Sequence, residues 1–195
     1  MRLVLATRNP GKRREFARLL APHEVVALPD AVDLQPETGA TFAANAIPKA
    51  RAAAAATGTA AVADDSGIEA AALNGAPGVR SARFAGENAT DQENLDKLRA
   101  QAAPGSGLEY VCALAYVDPT TDAEHLVEGR CAGTMAAEAR GTGGFGYDPV
   151  FLPADRDDDR TMAELTDDEK DAISHRGRAA RALQAWLAAA SVSGG

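Results

Sequence analysis

The chain has 195 residues, with 20 Lys and Arg against 28 Asp and Glu, giving a formal net charge of −8. That acidic balance excludes a duplex nucleic-acid binder, whose basic surface must release counterions, and no apolar run approaches the roughly 20 residues that span a bilayer. The 45 alanines predict helices packed closely on something flat, since Ala has the best helix propensity and needs little room.

Residues 2–6 (RLVLA) read as a short buried strand, followed by a polar turn from Thr7 to Lys12. A helix carrying Phe16, Leu19 and Leu20 on one face follows, then a second strand from His23 to Leu28. Pro36 to Gly39 is a loop. Thr41 opens a long Ala-rich helix that ends at Thr57 before Gly58, with Pro48 inside it expected to kink it or to remove a hydrogen bond. Ala60 to Ala63 is a strand running into Asp64-Asp65-Ser66-Gly67, and Ile68 to Leu73 is expected to continue extended.

After the NGAPG loop at 74–78, a helix is expected from Asp91 to Ala102, where Leu95 and Leu98 are three apart among charges. Tyr110 to Val117 and a return strand from Leu126 to Arg130, joined by Asp118-Pro119-Thr120-Thr121, form a hairpin signal. The cluster GTGGFGYDP (141–149) is a loop. Thr166-x-x-Glu169 is a capping box opening a short helix, and Ser174 caps a last helix whose apolar face includes Ala179, Leu183, Trp186 and Leu187. Helices alternating with strands, then a hairpin, predict an α/β fold with a mixed β-sheet flanked by helices. One domain over 1–190 and a flexible tail at 191–195 are expected. Cys112 and Cys131 lack a metal-ligand spacing and read as reduced thiols on strands. The apolar stretch before Thr7 is too short for a signal peptide, so a cytoplasmic protein is expected.

Four clusters carry chemistry. Thr7-Arg8-Asn9-Pro10-Gly11-Lys12 lies between a strand and a helix, where amides, a hydroxyl and a Lys suit a phosphate. The alternative is an ordinary connection, and the Walker pattern is absent. Asp64-Asp65 suits Mg²⁺, which takes hard oxygen ligands, with Glu37 as a second ligand; a solvated acidic turn is the alternative. Because adjacent strand residues face opposite sides, only one of the pair is expected to meet the site. In Gly143–Pro149, Phe145 or Tyr147 stacks on a flat ligand, or both cap the core. His175 and Arg176 at a helix N-terminus oppose the macrodipole, which calls for something negative nearby; solvated basic residues are the alternative. A nucleoside polyphosphate with Mg²⁺ would use all four clusters.

LATRNPGK (5–12), ETGATFAANAIPKA (37–50), ADDSGIEAAALNGAPGVRSARFAG (63–86), GTGGFGYDPVF (141–151), AEL (163–165) and EKDAISHR (169–176) together resemble the inosine triphosphate pyrophosphatase family over nearly the whole chain. The resemblance implies an elongated α/β fold with a cleft between two lobes, and a homodimer; from charge and hydropathy, no nucleic-acid or membrane partner is expected. The implied activity is Mg²⁺-dependent hydrolysis of non-standard purine nucleoside triphosphates (ITP, dITP, XTP) to the monophosphate and pyrophosphate.

It also implies roles. Thr7, Arg8, Asn9, Pro10, Gly11 and Lys12, with Lys49, would hold the triphosphate. Glu37 and Asp65 would bind Mg²⁺, with Asp65 also the base for water. Ser66 would touch substrate, and Phe145, Gly146, Tyr147, Asp148, Lys170, His175 and Arg176 would form the base pocket. One departure is that Ala44 stands where many bacterial members carry Glu before Asn45. The rival readings are a pyrophosphatase for modified pyrimidine nucleotides and a purine-nucleotide sensor that does not cleave.

Overall fold

The structure, a computed structural model, describes residues 1–193, with side chains through 190. Strands β1 (Arg2–Leu5), β2 (Glu24–Ala27), β3 (Ala61–Ala70), β4 (Gly107–Asp118), β5 (Ala123–Met135) and β6 (Phe151–Pro153) form one sheet in the order β2-β1-β3-β4-β5-β6. β1 pairs in parallel with β2 and β3, whereas β5 and β6 are antiparallel. The sheet is therefore mixed. Helices α1 (Pro10–Leu19), α2 (Phe42–Thr57), α3 (Asp91–Gln101), α4 (Asp167–Ile173) and α5 (His175–Ser193) complete the fold. The tail expected at 191–195 falls mostly on residues whose side chains are not described, and residues 194–195 lie outside the described residues altogether.

Local chemistry accounts for most boundaries. Asn9 caps α1 and Pro10 occupies its first turn, where a missing N–H costs nothing. Thr41 caps α2, and Gly58, at φ +61°, ends it in the left-handed region. Pro48 lies inside α2 on its exposed face and denies Ala44 a hydrogen-bond donor, while Ala46, Ala50, Ala53 and Ala54 form the buried face. Capping boxes start α3 at Thr90/Glu93 and α4 at Thr166/Glu169.

Two expectations about strand extent need correction. β3 does not end at the aspartates but carries them in its interior, and Ala71–Leu73 turn into a 3₁₀ segment instead of staying extended. β5 starts at Ala123 and runs to Met135, well past Arg130, because its alternate residues Gly129, Cys131, Gly133 and Met135 keep finding buried positions.

The chain divides into two compact units. Unit 1 comprises 1–65, 112–129 and 176–195, and unit 2 comprises 66–111 and 130–175. The dividing points fall within β3, β4 and β5 and at the start of α5. Each unit has its own core. Leu3, Leu5, Phe16, Leu20, Val62, Leu114 and Leu183 pack in unit 1. Ile68, Leu98, Tyr110, Met135, Phe151 and Met162 pack in unit 2. Cys112 and Cys131 are free thiols buried in separate cores.

Candidate active site

In unit 1, β1 delivers Thr7, Arg8 and Asn9 to the head of α1. The Asn9 side chain accepts from the Gly11 and Lys12 amides at 2.8 and 3.1 Å, and the Thr7 hydroxyl accepts from the Asn9 amide at 3.2 Å. These first-turn amides, read from the sequence as open to a phosphate, are satisfied within the turn. Arg8 turns to the 28–32 loop. There it donates to the carbonyls of Leu28, Pro29, Asp30 and Val32 at 2.9–3.3 Å and to the Asp30 carboxylate at 3.3 Å. Lys12 is the member of this cluster that reaches inward, its Nζ 2.9 Å from Asp64 Oδ2.

Asp64 is 0% exposed on β3 and Asp65 4%. A solvated acidic turn is thereby excluded. Burial alone would raise the Asp64 pKa, but the charges of Lys12, Arg176 and Lys49 bring it down to about 2. Arg176 Nε stands 3.6 Å from Asp64 Oδ2, and its Nη1 donates to Glu15 Oε2 at 2.9 Å. The basic residue that opposed the helix dipole is thus matched to two buried carboxylates. The resemblance placed Arg176 in the base pocket; the structure places it in unit 1, on Glu15 and Asp64. Despite its neighbour Pro48, Lys49 is carried inward, where its Nζ donates to Glu37 Oε1 and, at 2.7 Å, to the Asp64 carbonyl.

Asp65 has a different environment. Its Oδ2 accepts from Asn45 Nδ2 at 2.8 Å, and Asn45 Oδ1 in turn accepts from the Gly39 amide at 2.7 Å. Burial first, and the negative charge of Glu37 second, push the Asp65 pKa up. Adjacent carboxylates with pKa values driven in opposite directions suit different roles. Asp64 is a fixed anion among cations, and Asp65 is the more basic carboxylate. Glu37 and Asp65 are close enough to repel, so a hard cation accepting both fits this pair. Among the described residues no cluster of three or more His, Cys, Asp or Glu is gathered for a metal.

In unit 2 the glycine loop surrounds Asp148, which is buried. Its Oδ1 accepts from the Tyr110 hydroxyl at 2.9 Å, and its Oδ2 accepts from Lys170 Nζ at 2.6 Å and from the Phe145 amide at 3.0 Å. Gly144 sits at φ +69°, and a Cβ there would lie 2.0 Å from Asp148 Oδ2, so only glycine lets the loop close over that carboxylate. The Gly146 amide donates to Asp91 Oδ2 at 3.0 Å. Tyr147 is buried with its hydroxyl on the Ser81 carbonyl at 2.7 Å, so it caps the core. Phe145 stays half-buried, with Lys170 Nζ 5.5 Å from its ring centre. His175 is buried with its ring stacked on Tyr110, centroids 4.5 Å apart and planes within 6°. Ser66 is half-buried on β3.

The sequence readings therefore assemble as two sets: Thr7–Lys12, Glu37, Lys49, Asp65 and Arg176 in unit 1, and Ser66, Phe145–Asp148, Lys170 and His175 in unit 2. Three further residues belong with them. Asn45 lies in a segment already singled out, and an amide between two loop-and-strand carboxylates was its only mark. Glu15 was detectable as a charge on the same stripe as Phe16 and Leu19. Tyr110 reads as an ordinary strand residue.

On a mixed-sheet α/β chain, unit 1 carries a buried cluster of carboxylates and cations and unit 2 a glycine loop closed over a buried, hydrogen-bonded aspartate beside aromatic rings. Residues 3–186 match the Ham1 family, and the chain belongs to it. It is 51% identical over 193 residues to the dITP/XTP pyrophosphatase of Streptomyces coelicolor, covering 93% of this chain and 94% of that protein. It is 48% identical to the dITP/XTP pyrophosphatase of Photorhabdus laumondii, at 93% and 95% coverage. Among solved structures, a HAM1 protein from Coxiella burnetii superposes with a TM-score of 0.83 at 42% identity, covering 96% of this chain and 98% of that one. The nucleoside-triphosphatase / dITP/XTP pyrophosphatase of Mycobacterium abscessus gives 0.71 at 47% identity, with 94% and 98% covered.

Proposed function

We propose that the protein hydrolyses non-standard purine nucleoside triphosphates of the dITP and XTP type to the monophosphate and pyrophosphate. The observation that carries this reading is the divergence of Asp64 and Asp65. One aspartate is held ionised beside Lys12 and Arg176, while its neighbour is made more basic and is aligned by Asn45.

Water attacks the α-phosphorus and pyrophosphate leaves. Asp65 takes the proton from that water. Asn45 holds one carboxylate oxygen so that the other keeps a constant direction toward that water. Lys12 and Lys49 offset the charge that grows on the leaving pyrophosphate. Thr7 and Asn9 border the phosphates, and Arg8, Pro10 and Gly11 shape the turn that presents them. Glu37 and Asp65 would hold Mg²⁺ together with phosphate oxygens and water, the usual arrangement for an ion bound through one or two carboxylates. When bound, Mg²⁺ supplies positive charge that screens the phosphate oxygens.

Ser66 and Phe145 contact the nucleoside, the Phe145 ring stacking on the purine. Lys170 and His175 donate toward the 6-keto oxygen, supported by Asp148, Gly146 and Tyr147 behind them. An adenine amino group would leave those donors unmatched, which is how a hydrogen-bonding site rejects a near neighbour. The enzyme acts as a homodimer on the cytoplasmic nucleotide pool. No helix among the described residues is long and apolar enough to cross a membrane.

The test is incubation of the purified protein with ITP, dITP, XTP, dGTP and dATP, with Mg²⁺ or EDTA, and chromatography of the products. Mg²⁺-dependent release of pyrophosphate from ITP, dITP and XTP, with dGTP and dATP largely spared, is expected. Binding without cleavage, release of single phosphate, or preference for a modified pyrimidine triphosphate would overturn it.

A further inference from the structure

Tyr110 belongs to neither the glycine loop nor the two C-terminal helices, yet it touches the groups that those segments supply. Its hydroxyl donates to Asp148 Oδ1 at 2.9 Å. Its ring face lies flat on His175, 4.5 Å between centroids, and the ring also meets Phe151 at 4.6 Å and 40°. Asp148, through Oδ2, holds Lys170 at 2.6 Å and the Phe145 amide at 3.0 Å. One strand side chain is therefore linked, through its hydroxyl or its ring, to Lys170, Phe145 and His175. These are the three groups that the proposed function assigns to the purine.

From these contacts we propose that Tyr110 is a positioning residue for base recognition. The inference rests on reading unit 2 as the purine pocket. The hydroxyl occupies one oxygen of the Asp148 carboxylate, so Lys170 and the Phe145 amide share the other. Lys170, with three ammonium protons and one on Asp148 Oδ2, is then oriented to present another to the substrate. Removing the hydroxyl leaves Oδ1 of a buried carboxylate without that donor. The ammonium group can then move between the two oxygens, and its aim is lost. The ring stack preserves His175 in the same operation, so the hydroxyl and ring contributions are separable. Neither role involves the reacting phosphorus, so the effect falls on binding and base choice.

The experiment is steady-state kinetics of the full chain with ITP, XTP and ATP, on wild type, Tyr110→Phe, Lys170→Ala and Tyr116→Phe. Tyr116 is a second buried tyrosine of β4, with its hydroxyl 3.4 Å from Asp118; it serves as the control for loss of a tyrosine hydroxyl. Thermal unfolding is measured for each. Tyr110→Phe keeps the ring and the volume. It is expected to raise KM for ITP about three- to tenfold, the range that one hydrogen bond commands. It should leave kcat within about twofold and narrow the ITP-to-ATP preference, while Tyr116→Phe changes neither. A folded Tyr110→Phe enzyme with unchanged KM and base preference, alongside a Lys170→Ala enzyme that has lost its preference, would overturn the role of Tyr110 and leave the pocket standing. A Lys170→Ala enzyme with unaltered base preference would overturn the pocket reading, and this proposal with it.

Discussion

Asp64 and Asp65 are joined by one peptide bond, yet a strand sends them into opposite surroundings. Asp64 meets Lys12 and Arg176, and Asp65 meets Asn45 and the charge of Glu37. Neutralising Asp65 should therefore remove the proposed base without disturbing the cations around Asp64. Asp65→Asn keeps shape and volume, and is expected to lower turnover by roughly 10²–10⁴-fold, the usual contribution of a positioned base. Its circular dichroism and Tm should match wild type. Near-normal hydrolysis by a folded Asp65→Asn protein would remove Asp65 from the mechanism. That the pair mattered was legible in the residues. Which member was buried among cations was not, because the partners come from α1, α2 and α5.

Among the elements, the segment between β6 and α4 is held by charge. Arg160 grips the Glu169 carboxylate with two donors at 2.7 and 3.1 Å, and both Arg160 and Arg156 reach Asp158. Arg140 anchors the same stretch through Glu164 and the Asp159 carbonyl. The Arg160 contact and the Thr166 cap pull the Glu169 pKa down from 4.5 to about 2, and hydrogen bonds from Arg156 and Arg160 depress Asp158 as well. A carboxylate whose pKa is lowered on folding adds stability above its unfolded value and loses it as pH falls through its folded one. Tm is expected to be flat down to about pH 5 and to fall progressively toward pH 2. Arg160→Ala should flatten that fall, as thermal unfolding across pH would show. Equal slopes for wild type and Arg160→Ala would assign the acid sensitivity elsewhere. The caps at Thr41, Gly58 and Thr166 were readable because each acts within a few residues of chain. The run of β5 past Arg130 was not, since its inward residues are mainly small and find their places only against β6 and the unit 2 core.

For the whole molecule, the net charge of −8 coexists with buried anions that the chain itself neutralises. Glu15 and Asp64 share Arg176, Asp64 also has Lys12, and the half-buried Glu37 has Lys49. The fold therefore does not depend on a metal to hold its carboxylates together. Chelation with EDTA is expected to abolish turnover and to move Tm by less than about 2 °C, a fraction of a kcal/mol for a domain of this size. Collapse of Tm on chelation would show that a cation is part of the fold.

By itself the sequence determined the α/β class, the helix ends, the two thiols on strands, and the segments from which the proposed site is drawn. These depend on periodicity, capping and short motifs, which act over a few residues. Tertiary structure alone decided that Arg8 serves the 28–32 loop, that Tyr147 is core while Phe145 remains reachable, and that Arg176 joins Glu15 and Asp64. It also brought Asn45 to Asp65 and Tyr110 to Asp148. Such pairings join residues 20 to 161 positions apart, and the energy of a buried charge or hydroxyl depends on which distant group the fold sets beside it.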